Sequence, residues 1–125
     1  MDRARILCVD DDPHINELNQ IVLTRAGYEV VIAESPSDAL ERFSSGAFDL
    51  VVTDLFSSQS SDQEFIDKLR KLAPSIPIIV VSGNDSPPPE ILRVVNAFVV
   101  KAYSLNALTD SVREVLIHEK LRRIG

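Results

Sequence analysis

The chain of 125 residues contains one cysteine, Cys8, so no internal disulfide can form, and no Cys/His spacing suggests a zinc site. No apolar run approaches the ~20 residues that cross a bilayer. Met1 to Arg5 lead into only four apolar residues, too few for the apolar region of a signal peptide. Positive charge is also scarce: thirteen Lys and Arg face nineteen Asp and Glu, a formal net charge of -6. That balance argues against direct binding to nucleic acid or an anionic membrane, which needs a concentrated basic face. Linkers, low-complexity tracts and internal repeats are missing too. What remains is the expectation of a reduced, cytoplasmic, single-domain protein occupying 1–125. A chain of this length can bury roughly two-thirds of the surface it exposes when unfolded, enough for a core without staples.

Short apolar runs alternate with helix-period segments. Ile6-Leu7-Cys8-Val9 reads as a buried strand ending in Asp10-Asp11-Asp12. Asp12 suits a helix cap and Pro13 the first helical position, with Ile15, Leu18, Ile21 and Val22 predicted on one face. Gly27 stops that helix. Val30 to Ala33 is the second strand, Ser35-Pro36 opens a helix through Ala39, Leu40 and Phe43, and Gly46 ends it. Leu50 to Thr53 is the third strand, ending at Asp54. Ser61 and Glu64 have capping-box spacing ahead of Phe65, Ile66, Leu69 and Leu72. Ile78 to Val81 and Phe98 to Val100 are the last strands, and Ser104 is placed to cap a final helix.

Strands that are apolar throughout are covered on both faces, which means a parallel sheet with helices on either side. The pattern predicts a doubly wound α/β fold of five strands, order 2-1-3-4-5. Ligands in such sheets sit at the carboxyl ends of the strands where the order reverses, here between strands one and three. Those ends carry Asp10, Asp11, Asp12 and Asp54, with Ser82 after strand four and Lys101 after strand five. Carboxylates gathered in one crevice repel each other, and a hard divalent cation such as Mg²⁺ relieves this while accepting phosphate oxygens. A hydroxyl and an ammonium nearby are suitable donors to phosphoryl oxygens.

Four segments in order resemble the receiver domain of two-component response regulators: Val9-Asp10-Asp11-Asp12-Pro13, Asp49 to Leu55, Ile78 to Gly83, and Phe98-Val99-Val100-Lys101. The resemblance implies a flavodoxin-like fold and a phosphoacceptor at Asp54. It implies Mg²⁺ held by Asp10, Asp11, Asp54 and the backbone carbonyl of Phe56, with Asp11 the direct ligand of the acidic pair. Ser82 would be the switch hydroxyl, Lys101 the phosphoryl-binding ammonium and Phe98 the aromatic that moves with Ser82. A histidine kinase or phosphotransfer protein would donate the phosphoryl group. The domain would catalyse only its own phosphorylation and dephosphorylation, and output would reach an effector protein by contact, with room for a weak homodimer.

The chain departs from the family pattern in four places. Ser57 to Asp62 replaces a Met-Pro-Gly stretch and a later glycine, leaving that turn less restricted. Ala102 follows Lys101 where proline is usual, and a cis bond there would cost about 2.5–4 kcal/mol, so trans is expected. Ala97 stands where glycine is frequent. Asp85-Ser86-Pro87-Pro88-Pro89 occupies the start of the fourth helix, leaving Glu90 to Asn96, roughly two turns, with Ile91, Leu92, Val94 and Val95 expected to stay partly exposed.

Two further readings compete. A degenerate receiver would bind partners without phosphorylation. A haloacid-dehalogenase-type phosphatase would use Asp10 as nucleophile, since Asp10-x-Asp12 resembles its acid pair, although 125 residues leave little room for the rest of that fold.

Overall fold

The computed structural model describes residues 3–54, 59–83, 89–100 and 105–124. Strands β1 (Arg5–Val9), β2 (Glu29–Ala33), β3 (Leu50–Asp54), β4 (Ile78–Ser82) and β5 (Ala97–Val100) form one parallel sheet in the order β2-β1-β3-β4-β5. Helices α1 (Pro13–Arg25), α2 (Pro36–Ser45), α3 (Gln59–Leu72), α4 (Pro89–Leu92) and α5 (Leu105–Ile124) connect and cover them.

The side chains of each strand alternate between two cores, as the period of a strand requires. Leu7, Val9, Val51, Ile78 and Val80 pack with Ala39 of α2, Phe65, Ile66 and Leu69 of α3 and Ile91 of α4. Ile6, Cys8, Leu50, Val52, Ile79, Val81 and Val99 face Leu23 of α1 and Leu108, Val112 and Val115 of α5. This two-sided burial is the reason the strands carry no polar alternation. Burial, with the charge of Asp10 adding to it, pushes the Cys8 thiol up to about 12. Cys8 should therefore resist a thiol reagent at neutral pH until the protein is unfolded, which an Ellman titration with and without denaturant checks.

The helix starts follow the local chemistry. Asp12 caps α1 by accepting the His14 N–H at 2.9 Å, and Ser35 caps α2 by accepting the Asp38 N–H at 3.1 Å. Pro13 and Pro36 stand at the first helical positions, where a missing N–H costs nothing. Gly27 ends α1 with φ 102, a left-handed conformation that suits glycine. Helix α3 begins at Gln59, so Ser61 lies within its first turn and does not cap it as the spacing suggested. Ser104 lies outside the described residues.

Two sequence expectations change on the folded protein. The inward face of α1 is rotated: its buried residues are Asn16 and Leu23, while Leu18 and Ile21 are exposed. Helix α4 is four residues long, against the seven from Glu90 to Asn96, and it starts one residue earlier, at Pro89. The Arg93 N–H still reaches the Pro89 carbonyl at 3.2 Å, but the Val94 N–H closes a tighter turn on Ile91 at 3.1 Å. Asn96 is then drawn to β4, donating its N–H to the Ile78 carbonyl at 2.7 Å and accepting the Ile78 N–H on Oδ1 at 2.9 Å. Part of the segment's apolar surface stays exposed, as the sequence led one to expect. Ile91 is fully buried, Val94 and Val95 are half-buried against the core, and Leu92 is exposed.

Arg70, at the end of α3, holds this connection in place. Its guanidinium donates to the Val94 carbonyl at 2.8 Å, to Asn96 Oδ1 at 3.1 Å and to the Ile76 carbonyl. Burial lowers the Arg70 pKa below its ordinary value, and the Glu119 carboxylate acts in the opposite direction. Arg70→Met should lower stability by about 2 kcal/mol, because the part-buried carbonyls of Ile76 and Val94 lose a charged donor. Arg70→Lys should recover little, since an ammonium lacks the planar fork. Urea unfolding midpoints check both.

Candidate functional site

The sheet register brings the acidic strand ends together. Val9 pairs with Thr53 across β1 and β3, so Asp10 and Asp54 leave the sheet side by side. Asp54 in turn pairs with Val81, one residue before Ser82, and Ser82 pairs with Val100. The site thus lies over the reversal of strand order, flanked by β4.

Asp10 is buried, Asp54 half-buried and Asp11 exposed, and each offers a carboxylate oxygen within 4.8 Å of the other two. Two oxygens on opposite sides of one Mg²⁺ stand roughly 4.2 Å apart, so the cluster is close to the size of a single coordination sphere. Its donors are all hard oxygens, the kind that Mg²⁺ takes and that softer metals compete for poorly. Three carboxylates this close also raise one another's energy when no cation is present. Residues and spacing therefore fit a divalent cation.

The loop is tightly held. The Asp10 N–H donates to the Ala33 carbonyl at 3.2 Å, continuing the bonding of β1 to β2 beyond the strand. Asp10 Oδ1 accepts the Asp12 N–H at 2.9 Å, and Asp12 caps α1. Thr53, also buried, donates its hydroxyl to the Asp54 carbonyl at 3.0 Å. Ser82 is 7% exposed, and Phe98 is partly buried against the core beside Val80.

Of the residues the sequence singled out, Asp10, Asp11 and Asp54 are gathered, Ser82 stands on the adjoining strand end and Phe98 lies behind it. Phe56 and Lys101 lie outside the described residues, as do Ser57, Ser58, Pro87, Pro88 and Ala102. Asp12 serves as a cap, in keeping with its position before Pro13. The residue that sequence reasoning missed is Asn16, which is buried and donates to the Asp10 carbonyl at 2.7 Å. Its signal was there to read: a polar side chain one turn after the Asp12 cap, beside apolar Ile15.

The sequence profile of the response regulator receiver domain matches residues 6–113. The chain belongs to this family. Among relatives, this receiver domain is 30% identical over 116 residues to the transcriptional regulatory protein GlrR of Escherichia coli, covering 90% of this chain and 26% of that protein. It is 28% identical over 119 residues to YkoG of Bacillus subtilis, covering 93% of this chain and 52% of the relative. The receiver domain thus spans about a quarter to a half of those relatives. Among solved structures, the response regulator TrrA of Thermotoga maritima, in complex with Mg²⁺ and BeF, shares 32% identity at a TM-score of 0.80, covering 89% of this chain and 97% of that one. A CheY-like receiver domain from Methanospirillum hungatei shares 26% identity at a TM-score of 0.86, covering 97% and 99%. Among the described residues no helix is long and apolar enough to cross a membrane.

Proposed function

We propose that this receiver domain accepts a phosphoryl group on Asp54 from the phosphohistidine of a histidine kinase or phosphotransfer protein, and uses it to control contact with an effector protein in the cytoplasm. The carrying observation is the convergence of Asp10, Asp11 and Asp54 within 4.8 Å at the reversal of strand order. The likeness to TrrA, solved with Mg²⁺ and BeF, supports the same reading.

In this mechanism an Asp54 carboxylate oxygen attacks phosphorus. The new P–O bond forms as the P–N bond to the donor imidazole breaks, and the imidazole nitrogen keeps the electron pair. Asp10, Asp11, Asp54 and the Phe56 carbonyl would hold Mg²⁺, which when bound would neutralise charge on the phosphoryl oxygens. The Ser82 hydroxyl and the Lys101 ammonium donate to the remaining oxygens, so catalysis is positioning and charge neutralisation. Hydrolysis returns Asp54 when water attacks the same phosphorus. Ser82 and Phe98 carry the signal away: the hydroxyl moves toward the phosphoryl group and the ring follows.

The test is intact-mass measurement after treatment with acetyl phosphate and Mg²⁺, on wild type and on Asp54→Asn. One added phosphoryl group in the wild type alone supports the proposal. No addition in the wild type would favour a receiver that binds partners without phosphorylation.

A further inference from the structure

Asp10 carries three anchors. Its N–H is bound by the Ala33 carbonyl at 3.2 Å and its Oδ1 by the Asp12 N–H at 2.9 Å. The third comes from outside the loop: Asn16 Nδ2 donates to the Asp10 carbonyl at 2.7 Å and to the Ala33 carbonyl at 3.1 Å. One side chain of α1 thereby ties the last residue of β2 to the residue that follows β1.

The amide is not there as convenient filling. Asn16 is 1% exposed, and its Oδ1 is buried with no hydrogen-bond partner among the described residues. An acceptor left without a donor in the interior is a standing cost, and an apolar side chain at 16 would avoid it. The two donated bonds are what the residue contributes. Both end on backbone carbonyls, and one of those is the main-chain carbonyl of Asp10, whose side chain belongs to the acidic cluster. Asp11 is held in consequence, because it sits between Asp10, fixed by Asn16, and Asp12, fixed by its own cap on α1.

We infer that Asn16 is a positioning residue of the acidic pocket, fixing the backbone of Asp10 so that Asp10 and Asp11 present their carboxylates to one divalent cation. The inference rests on the reading of the cluster as a Mg²⁺ site. It differs from a purely structural role for Asn16, which would affect stability without a selective effect on metal binding.

The experiment uses ¹⁵N-labelled full chain as wild type, Asn16→Leu, Asn16→Ser and Leu23→Val. Leu23→Val loosens the same helix from the core without touching Asp10. Two quantities are measured on each protein: the water exchange of the Asp12 amide in the absence of metal, and the Mg²⁺ affinity from amide shift titration. Asn16→Leu should speed Asp12 exchange severalfold and weaken Mg²⁺ binding by about tenfold, the usual scale for losing a group that orients a ligand. Asn16→Ser, which keeps one hydroxyl donor on a shorter side chain, should fall between and serves if the leucine variant does not fold. Leu23→Val should leave both quantities near wild type. Unchanged Asp12 exchange in a folded Asn16 variant would overturn the inference, as would equal effects from Leu23→Val. A wild-type protein that shows no Mg²⁺ shifts would instead remove the metal reading, and Asp12 exchange alone would then decide whether Asn16 fixes Asp10.

Discussion

Asp54→Asn protein treated with acetyl phosphate and Mg²⁺ should gain no phosphoryl mass, while wild type gains one group that is stable to acid and labile to base. The substitution keeps the shape of the side chain but replaces an anionic oxygen with a neutral amide oxygen, a far weaker nucleophile. The neighbouring carboxylate is a poor substitute: Asp10 lies beside Asp54 but is held at its N–H by Ala33, at its carbonyl by Asn16 and at Oδ1 by Asp12. A phosphoryl group found on Asp10 would overturn the receiver mechanism and restore the haloacid-dehalogenase-type alternative. Lys101→Ala should be partial where Asp54→Asn is complete. A hydrogen bond to a charged group contributes about 1.5–3 kcal/mol. At about 1.36 kcal/mol per decade, its loss should slow phosphoryl uptake on the order of 10- to 100-fold.

Mg²⁺ should raise the melting temperature of the wild type and leave Asp11→Ala nearly unmoved. A ligand that binds only the folded state stabilises it by about 2.7 kcal/mol at a hundredfold excess over its Kd. For a domain of this size that corresponds to a rise in Tm on the order of 10 °C. Asp11 is the exposed member of the cluster, so its removal takes away a ligand without opening a cavity. In the absence of metal the same variant should melt slightly higher than wild type, because one of three crowded negative charges is gone. That gain should be about 1 kcal/mol at low salt and shrink as salt is added. Scanning calorimetry with Mg²⁺ or with EDTA reads both effects. An Asp11→Ala protein that keeps the full Mg²⁺ shift would remove Asp11 from the site.

The elements and the site were legible for different reasons. Strands buried on both faces must be apolar throughout, so Ile6 to Val9, Leu50 to Val52 and Ile78 to Val81 announced themselves without any tertiary information. The alternation of these runs with capped helical segments restricted the topology, and the observed order β2-β1-β3-β4-β5 agrees with it. Asp10 and Asp54 follow directly from that order, because they stand at the ends of β1 and β3, the neighbouring strands between which the order reverses.

Two boundaries were misplaced, and for α4 the cause is visible in the structure. Ser61 and Glu64 fit a capping box, but α3 begins at Gln59, before that motif. Residues Glu90 to Asn96 could have formed two turns, yet Asn96 bonds to Ile78, eighteen positions away, and Arg70 takes the Val94 carbonyl from twenty-four positions away. Local patterns describe what a segment can form alone. They carry no account of partners that arrive from another strand or helix.

Apolar periodicity and capping chemistry are local, so they were enough for the class of the fold, the order of its elements and the strand ends at which Asp10, Asp11, Asp54 and Ser82 stand. The tertiary structure alone decided which face of α1 turns inward, where α4 stops and how near the three carboxylates come. Each of those depends on backbone carbonyls and side chains brought together from distant parts of the chain, where a buried polar group must find its partner or bear the cost of having none.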